Sequence, residues 1–314
     1  MQQKVSFKFN NYEKFKNFII NELTDFLPKE YMKSRIMITD TIKTNGIERE
    51  IIAFIRPLNV EEKATAIEIT ELYKIYKNTN FDIMLKKINK MINFVENDNM
   101  TKEDVLKNTI MRICKKDNCQ FDLDDMPHRD VFDLSIYYCI TMDEDDFGSS
   151  LCPLNNSIME DFNITEQELF EVCIKKSNQT VDIKTLEEST KDIISKFPKE
   201  IQGFLSDIHN RLTEITNEGT NTIIVSDKKQ RNGAVNILNN KVLKQVADYL
   251  DSDIYISVVD NNNLSCFSKD EHSIDALKIM MKEEMGIFKT KELRMTDSIY
   301  LYKREDDNLY LYTK

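Results

Sequence analysis

A run of apolar, β-favouring residues at positions 130–141 constrains the fold of this chain more than any other feature. The run is rich in Val, Ile, Tyr and Phe and has too few polar residues to give a strand one wet face. We therefore predict a central strand that is buried on both faces. The acidic residues 143–146 predict a turn, and residues 148–154 predict a second strand that pairs back as a hairpin. Pro153 implies that this second strand ends there or lies at an edge of the sheet.

Helical and extended patterns alternate along the rest of the chain. Capping boxes that begin at Thr101 and Thr165 predict helix starts, and apolar residues at helical spacing predict the helices themselves. The predicted helices include residues 11–26, 81–95, 165–173, 181–196, 199–216, 242–250 and 274–285, the last closed by Gly286. Extended runs with turn signals predict several hairpins. The mixture predicts an α+β fold with mixed, mostly antiparallel sheets flanked by helices.

The length of the chain predicts two lobes. Its 314 residues exceed the about 150 residues of an ordinary domain. A boundary falls where the hairpin ends and the next capping box begins, so we expect a first α+β lobe at residues 1–158 and a second at residues 159–314. With only 6 Gly and 5 Pro, the chain has no long low-complexity linker between them.

The charge balance bears on the partners that this chain can have. Its 43 basic and 54 acidic residues give a net charge of −11, and no basic run with interleaved aromatic residues is present, so direct nucleic-acid binding is disfavoured. No apolar run approaches the about 20 residues that span a bilayer, and the N-terminus lacks the apolar core of a signal peptide. Six scattered cysteines are typical of reduced thiols, so we expect a cytoplasmic protein.

The tetrapeptide Pro127-His128-Arg129-Asp130 has the most reactive side chains in the sequence, and we expect it in a loop. Functionally, His128 is a candidate general base oriented by Asp130 or Asp133, and Arg129 a candidate clamp for an anion. The structural alternative is that His128 and Arg129 bond the acidic residues 122–125 and anchor the strand that follows. One histidine without a nearby nucleophile defines no site, so the structural alternative is favoured.

Metal and cofactor signatures are weak. Cys114 and Cys119 have the wrong spacing for a zinc knuckle, and core thiols are expected instead. Residues 143–146 offer the oxygen ligands that calcium or magnesium prefers, but they lack the alternation of a calcium loop. The chain has no glycine-rich phosphate loop, zinc-protease motif or serine-hydrolase motif. We expect no metal and no cofactor.

Several unusual segments occur in a fixed order along the chain. They are Leu27-Pro28, Met126-Pro-His-Arg-Asp-Val-Phe-Asp-Leu134, residues 151–155, residues 162–169, residues 222–226 followed by 232–235, and residues 253–256. Together they resemble a bacterial family designated domain of unknown function fifty-six eighty-eight, found in Firmicutes of the gut and often on their integrative mobile elements. The chain departs from that family at Phe162, where Trp is usual, and at residues 258–263, where Pro-Ser-Ser-x-His-Glu is usual. The resemblance implies no activity.

Two functions are consistent with these observations. The first is a non-enzymatic protein-interaction or inhibitor factor of a mobile element, which binds a protein partner. The alternative is a hydrolase-type enzyme that uses the loop at residues 127–130 in a cleft between the lobes. The first is favoured because the reactive residues do not converge.

Overall fold

The computed structural model describes a chain that divides into two compact units. The described residues are 8–9, 11–27, 35–43, 47–55, 64–95, 100–119, 123–145, 148–195, 197–216, 222–258, 260–287 and 295–313. The first unit comprises Met1–Thr109, Gln120–Asp122 and Cys139–Leu154, and the second comprises Ile110–Cys119, Leu123–Tyr138 and Asn155–Lys314. These units are defined by contacts and interleave along the chain. The predicted lobes at residues 1–158 and 159–314 are continuous stretches expected to fold independently. A division by contacts does not test independent folding, so the two lobes stay a prediction.

Helices and strands are mixed along the described residues. The helices are α1 (Tyr12–Asn21), α2 (Ile69–Asn78), α3 (Phe81–Val95), α4 (Lys102–Asn108), α5 (Asn156–Asp161), α6 (Glu166–Thr180), α7 (Leu186–Ser195), α8 (Lys199–Thr216), α9 (Asn240–Tyr249) and α10 (Ile274–Ile287). The strands are β1 (Arg35–Lys43), β2 (Ile47–Ile55), β3 (Ala64–Glu68), β4 (Thr109–Lys115), β5 (His128–Val131), β6 (Leu134–Asp145), β7 (Gly148–Pro153), β8 (Val181–Thr185), β9 (Thr222–Asp227), β10 (Ile254–Ser257), β11 (Leu264–Ser268), β12 (Ile299–Lys303) and β13 (Asn308–Thr313).

The described strands form three sheets. One has the order β1-β2-β3, the second has the order β13-β12-β10-β11-β9-β8, and in the third β6 pairs with β4, β5 and β7. Every pair whose register is defined is antiparallel. The predicted α+β class, with antiparallel sheets flanked by helices, is confirmed.

Each unit has its own apolar core. In the first unit, α1 begins after Asn11, whose side chain accepts a hydrogen bond from the Lys14 amide at 2.9 Å, and it buries one apolar stripe. That stripe packs with α2 and α3 in a core that includes Phe15, Phe18, Ile19, Leu72, Met84 and Ile88. In the second unit, side chains of the six-stranded sheet pack on α10 in a cluster made of Tyr255, Phe267, Leu277, Met281, Ile299 and Leu301.

The predicted helix at residues 181–196 is wrong in its first turn. Val181–Thr185 forms β8, which pairs with β9 so that Ile183 lies opposite Val225. The helix α7 begins only after Thr185, whose hydroxyl and amide both bond the Glu188 carboxylate while the Glu188 amide donates back to that hydroxyl. This capping box is the local signal for the true helix start.

Three other boundaries differ from prediction. The acidic turn is shorter than expected because β6 continues to Asp145, where it pairs with Gly148; Asp146 lies outside the described residues, as does Pro28. Gly286 does not close α10, which continues to Ile287. The predicted strand at residues 130–141 is two strands, β5 and β6, separated by Phe132 and Asp133.

Candidate functional site

The four candidate catalytic residues lie on the β5–β6 hairpin. His128, Arg129 and Asp130 are in β5, which pairs with β6, and Asp133 is in the two-residue turn. The prediction of a loop at residues 127–130 is therefore wrong for its last three residues. Alternate residues of a strand point to opposite faces, so His128 and Asp130 share one face while Arg129 points to the other.

Arg129 is held by α6. Its guanidinium donates to both carboxylate oxygens of Glu166, at 3.1 and 2.7 Å, and to Gln167 at 2.8 Å. It also lies 3.8 Å from the ring centroid of Phe170. Glu166 accepts a further hydrogen bond from the buried Tyr138 hydroxyl. The bond to Glu166 also raises the pKa of Arg129. Because its donors are engaged by Glu166 and Gln167, this cation anchors β5 to α6 and is not presented to an external anion. The predicted bond from Arg129 to the acidic loop is wrong.

Replacing Arg129 with Met is expected to destabilise the fold by about 1–2 kcal/mol, because the half-buried Glu166 loses its bidentate partner. Urea unfolding followed by circular dichroism measures the change. The control is Lys191→Met, which removes an exposed ion pair to Glu187 on α7 and is expected to leave the stability unchanged within error. Equal stabilities for the two variants would contradict an anchoring role for Arg129.

His128 and Asp130 do not form a proton relay. The His128 Nδ1 atom lies 3.0 Å from the Met126 carbonyl oxygen; because a carbonyl only accepts, Nδ1 carries the hydrogen. The Nε2 atom is 4.0 Å from Asp130, which exceeds hydrogen-bonding distance. Asp130 instead accepts from Ser135 at 2.6 Å and pairs with Lys116. In a serine triad the histidine separates serine from carboxylate, whereas here the carboxylate bonds a fully buried serine directly.

Asp133 is the most thoroughly bonded of the four candidates. Its carboxylate accepts from the hydroxyls of Thr296 at 2.6 Å, Ser298 at 2.8 Å and Tyr300 at 2.6 Å. Burial opposes its ionisation, but these three donors outweigh burial and hold its pKa below the usual range. The preceding Phe132 adopts φ 57°, a conformation that is strained for a bulky residue. The bonds of Asp133 hold this turn in place, and Asp133 does not orient His128.

The cysteines that pack inside the units are not poised as nucleophiles. Cys114, Cys139, Cys173 and Cys266 are buried. Burial raises the pKa of Cys173 to about 12 and also raises that of Cys266, so neither forms the reactive thiolate near neutral pH. Within the described residues, no group of three or more His, Cys, Asp or Glu side chains is arranged to hold a metal ion.

A group of exposed apolar side chains, which the sequence patterns did not single out, surrounds the connection between α7 and α8. Ile193 is 46% exposed, Phe197 45%, Ile201 41% and Phe204 67%. We call these four residues the α7–α8 patch. The missed signal is that large apolar residues interrupt the polar face of two helices, an arrangement that burial within the chain does not explain.

The connection between the two helices is tied to the first turn of α8. The Gln202 side chain donates to the carbonyl oxygens of Phe197 at 2.7 Å and Ser195 at 3.2 Å. The Ile201 amide bonds the Pro198 carbonyl oxygen at 3.1 Å. These bonds tie the backbone at Ser195, Phe197 and Pro198 to α8.

A family of unknown function (DUF5688) matches the chain over residues 12–304. No curated protein and no solved structure matches it. Among the described helices, none has the length and apolar character needed to cross a membrane.

Proposed function

The chain belongs to this family of unknown function, as its resemblance predicted, and we propose that it is a non-enzymatic factor that binds a partner protein through the α7–α8 patch. The observation that carries the proposal is the exposure of four large apolar side chains within residues 193–204. A single exposed apolar residue is ordinary on a protein surface. A contiguous group marks an interaction site, because its contact with water is unfavourable until a partner covers it.

The surroundings of the patch suit binding. Lys184 of β8 bonds Asp182 and Asp192 at 2.6 Å each, which ties α7 to the edge of the six-stranded sheet. With Gln202 holding the start of α8, little ordering is needed when a partner binds, and less binding free energy is lost to entropy.

The hairpin that carries the candidate catalytic residues supports a non-enzymatic role. Arg129 is bonded by Glu166, Asp130 by Lys116 and Ser135, and Asp133 by three hydroxyls. Apart from the Asp130–Ser135 bond inside the hairpin, these bonds join elements that lie 14 to 167 residues apart in the sequence. Side chains used in this way are explained by stability alone.

The finer parts of the proposal come from the family resemblance. We propose that the factor acts in the cytoplasm as an inhibitor of a host protein or of a protein encoded by a mobile element. Such a role needs a stable scaffold with one surface that binds the partner, and the α7–α8 patch is that surface. It does not need a metal or a cofactor.

A hydrolase-type activity is the second candidate. The observation that favours it is that the His128 side chain is 31% exposed, so a substrate can reach its imidazole. If His128 is a general base, His128→Ala abolishes any ester, amide or phosphoester hydrolysis that the purified protein shows. Activity that survives the substitution would remove this candidate.

Replacing both Ile201 and Phe204 with Ser is expected to weaken partner binding about tenfold or more, because the two side chains are neighbours on α8 and make up half of the patch. The tagged protein is used to isolate a salt-resistant partner, and the affinity of the purified pair is then measured by calorimetry. The control is Ile279→Ser, which removes an apolar residue on α10 that is 61% exposed and outside the patch. Unfolding curves of all forms should coincide. Undiminished binding by the double variant would contradict the proposal.

A further inference from the structure

We propose, on the basis of the function proposed above, that the partner of the α7–α8 patch presents an apolar groove rimmed by Lys or Arg. Phe204, the most exposed residue of the patch at 67%, would enter this groove. Glu200 and Asp207 would pair with the basic rim.

The two carboxylates flank Phe204 on one face of α8. Glu200 lies four residues before Phe204 and Asp207 three residues after it, and residues at these spacings are neighbours on a helix surface. Both carboxylate residues are exposed. The patch therefore has an apolar centre with negative charge on two sides.

The ion pairs described near the patch involve acidic residues of α7. On α7, Lys191 pairs with Glu187 at 2.5 Å and Lys184 pairs with Asp192 at 2.6 Å. Among the side chains that the structure describes, none forms an ion pair with Glu200 or Asp207. Opposite charges at the rim of an interface steer association and select the partner. Two exposed carboxylates beside the most exposed aromatic residue thus favour a partner that supplies cations.

The net charge of the whole chain favours a basic protein over the other molecules that could cover the patch. At a net charge of −11, a second copy of the chain is repelled overall, and its own patch would bring the same carboxylates to the rim. Nucleic acid and anionic lipid are repelled for the same reason. A basic protein surface is attracted, and its apolar groove also covers the aromatic ring.

Binding of two synthetic amphipathic helical peptides tests this inference. Both carry the same leucine stripe, but one has Lys and the other Glu on its polar face, and fluorescence anisotropy reports their binding to the full chain. We expect the Lys peptide to bind and the Glu peptide to bind much more weakly. Affinity for the Lys peptide should fall between about 0.1 M and about 1 M salt, as the Debye length shortens from about 10 Å to about 3 Å.

Substitutions at the patch test whether the peptide binds there. The double variant Glu200→Gln/Asp207→Asn is expected to weaken Lys-peptide binding about fivefold at low salt, the combined effect of two exposed ion pairs, and Phe204→Ser to weaken it further. The matched control is Asp275→Asn, because Asp275 lies four residues before the exposed Ile279 on α10, and it should leave the affinity unchanged.

The outcomes separate this inference from the function on which it rests. Equal binding of the two peptides, or no effect of the double charge variant, would overturn the basic partner; if Phe204→Ser still weakens binding, the patch itself stands. Binding that responds neither to Phe204→Ser nor to the charge variant would overturn both. Absence of binding by either peptide would count against both as well.

Discussion

Gly233→Ala is expected to lower the free energy of unfolding by about 3 kcal/mol, because the site has no room for a methyl group. A Cβ atom at position 233 would lie 2.5 Å from both the Asn262 carbonyl oxygen and the Ser226 Cα, and closer still to the Val225 carbonyl oxygen. All three are backbone atoms, which cannot turn away as a flexible side chain would. The Gly233 backbone is right-handed helical, with φ −72° and ψ −32°, so crowding and not chirality sets the requirement for glycine.

Relief of that crowding would break neighbouring bonds. The Gly233 amide donates to the Asn262 carbonyl oxygen at 2.8 Å, and the Ser226 hydroxyl donates to the same oxygen at 2.8 Å. Asn262 belongs to a turn in which its own amide bonds the Asp260 carboxylate at 2.7 Å. A shift of Gly233 away from Asn262 would therefore disturb this turn as well.

Gly203→Ala is the matched control for this substitution. Gly203 is inside α8, and a Cβ there meets no atom within 4 Å. Since glycine is a poor helix former, the control is expected to stabilise the protein by about 0.5–1 kcal/mol. Urea unfolding of both variants measures the two changes. A Gly233→Ala protein as stable as the wild type would contradict the prediction, because it would show that the surrounding backbone moves to accommodate the methyl group.

Asp133→Asn is expected to destabilise the protein by about 3 kcal/mol near neutral pH. The carboxylate accepts three hydroxyl hydrogen bonds, and bonds to a charged acceptor are the stronger kind. An amide of the same shape turns an NH₂ group toward at least one of these hydroxyls. The bonds connect the β5–β6 turn with β12 and the residues just before it, so their loss loosens the hairpin.

The effect of Asp133→Asn should also depend on pH. Because the folded protein holds the pKa of Asp133 below the usual value, the stability from its charge is complete above the unfolded pKa of about 3.9. It is lost as the pH falls through the lower folded pKa. The difference in stability between the wild type and the variant is therefore expected to be full at pH 7, and to shrink as the pH falls below about 3.9.

Asp130→Asn is the control for the size of the loss at pH 7. Asp130 has two bonding partners instead of three, and its side chain is 37% exposed, so solvent replaces part of what is lost. A smaller destabilisation is expected. If the two variants lose the same free energy of unfolding at pH 7, the claim that the three hydroxyl bonds make Asp133 more stabilising than Asp130 would be contradicted.

The sequence alone predicts those helix starts and helix spans that depend on neighbouring residues. The capping boxes at Thr101 and Thr165 mark the starts of α4 and α6, and the apolar period over residues 81–95 matches α3. Each signal depends on side chains within a few residues of the backbone that they stabilise. The capping box at Thr185 has the same form, and reading it would have placed the start of α7 correctly.

The turn at Phe132 and Asp133 is not a local feature. Phe is a poor residue for φ 57°, and no nearby residue predicts a break in an otherwise continuous β-favouring run. The bonds that hold the turn come from Thr296, Ser298 and Tyr300, which are more than 160 residues away. The bonding partner of Arg129 is likewise distant, because Glu166 lies 37 residues further along the chain. The sequence therefore identified reactive side chains, but their partners were set by tertiary contacts.

By itself, the sequence determined the α+β class, the antiparallel hairpins and most helix starts, because periodicity, turn residues and caps act over one or two turns of chain. Only the tertiary structure decided that Val181–Thr185 is a strand, since its partner β9 lies some forty residues further along the chain. Only the tertiary structure left Phe197 and Phe204 exposed while Phe15 and Phe18 became core. Apolar side chains at helical spacing are alike in sequence, and what packs against them decides whether they stabilise the fold or remain available to a partner.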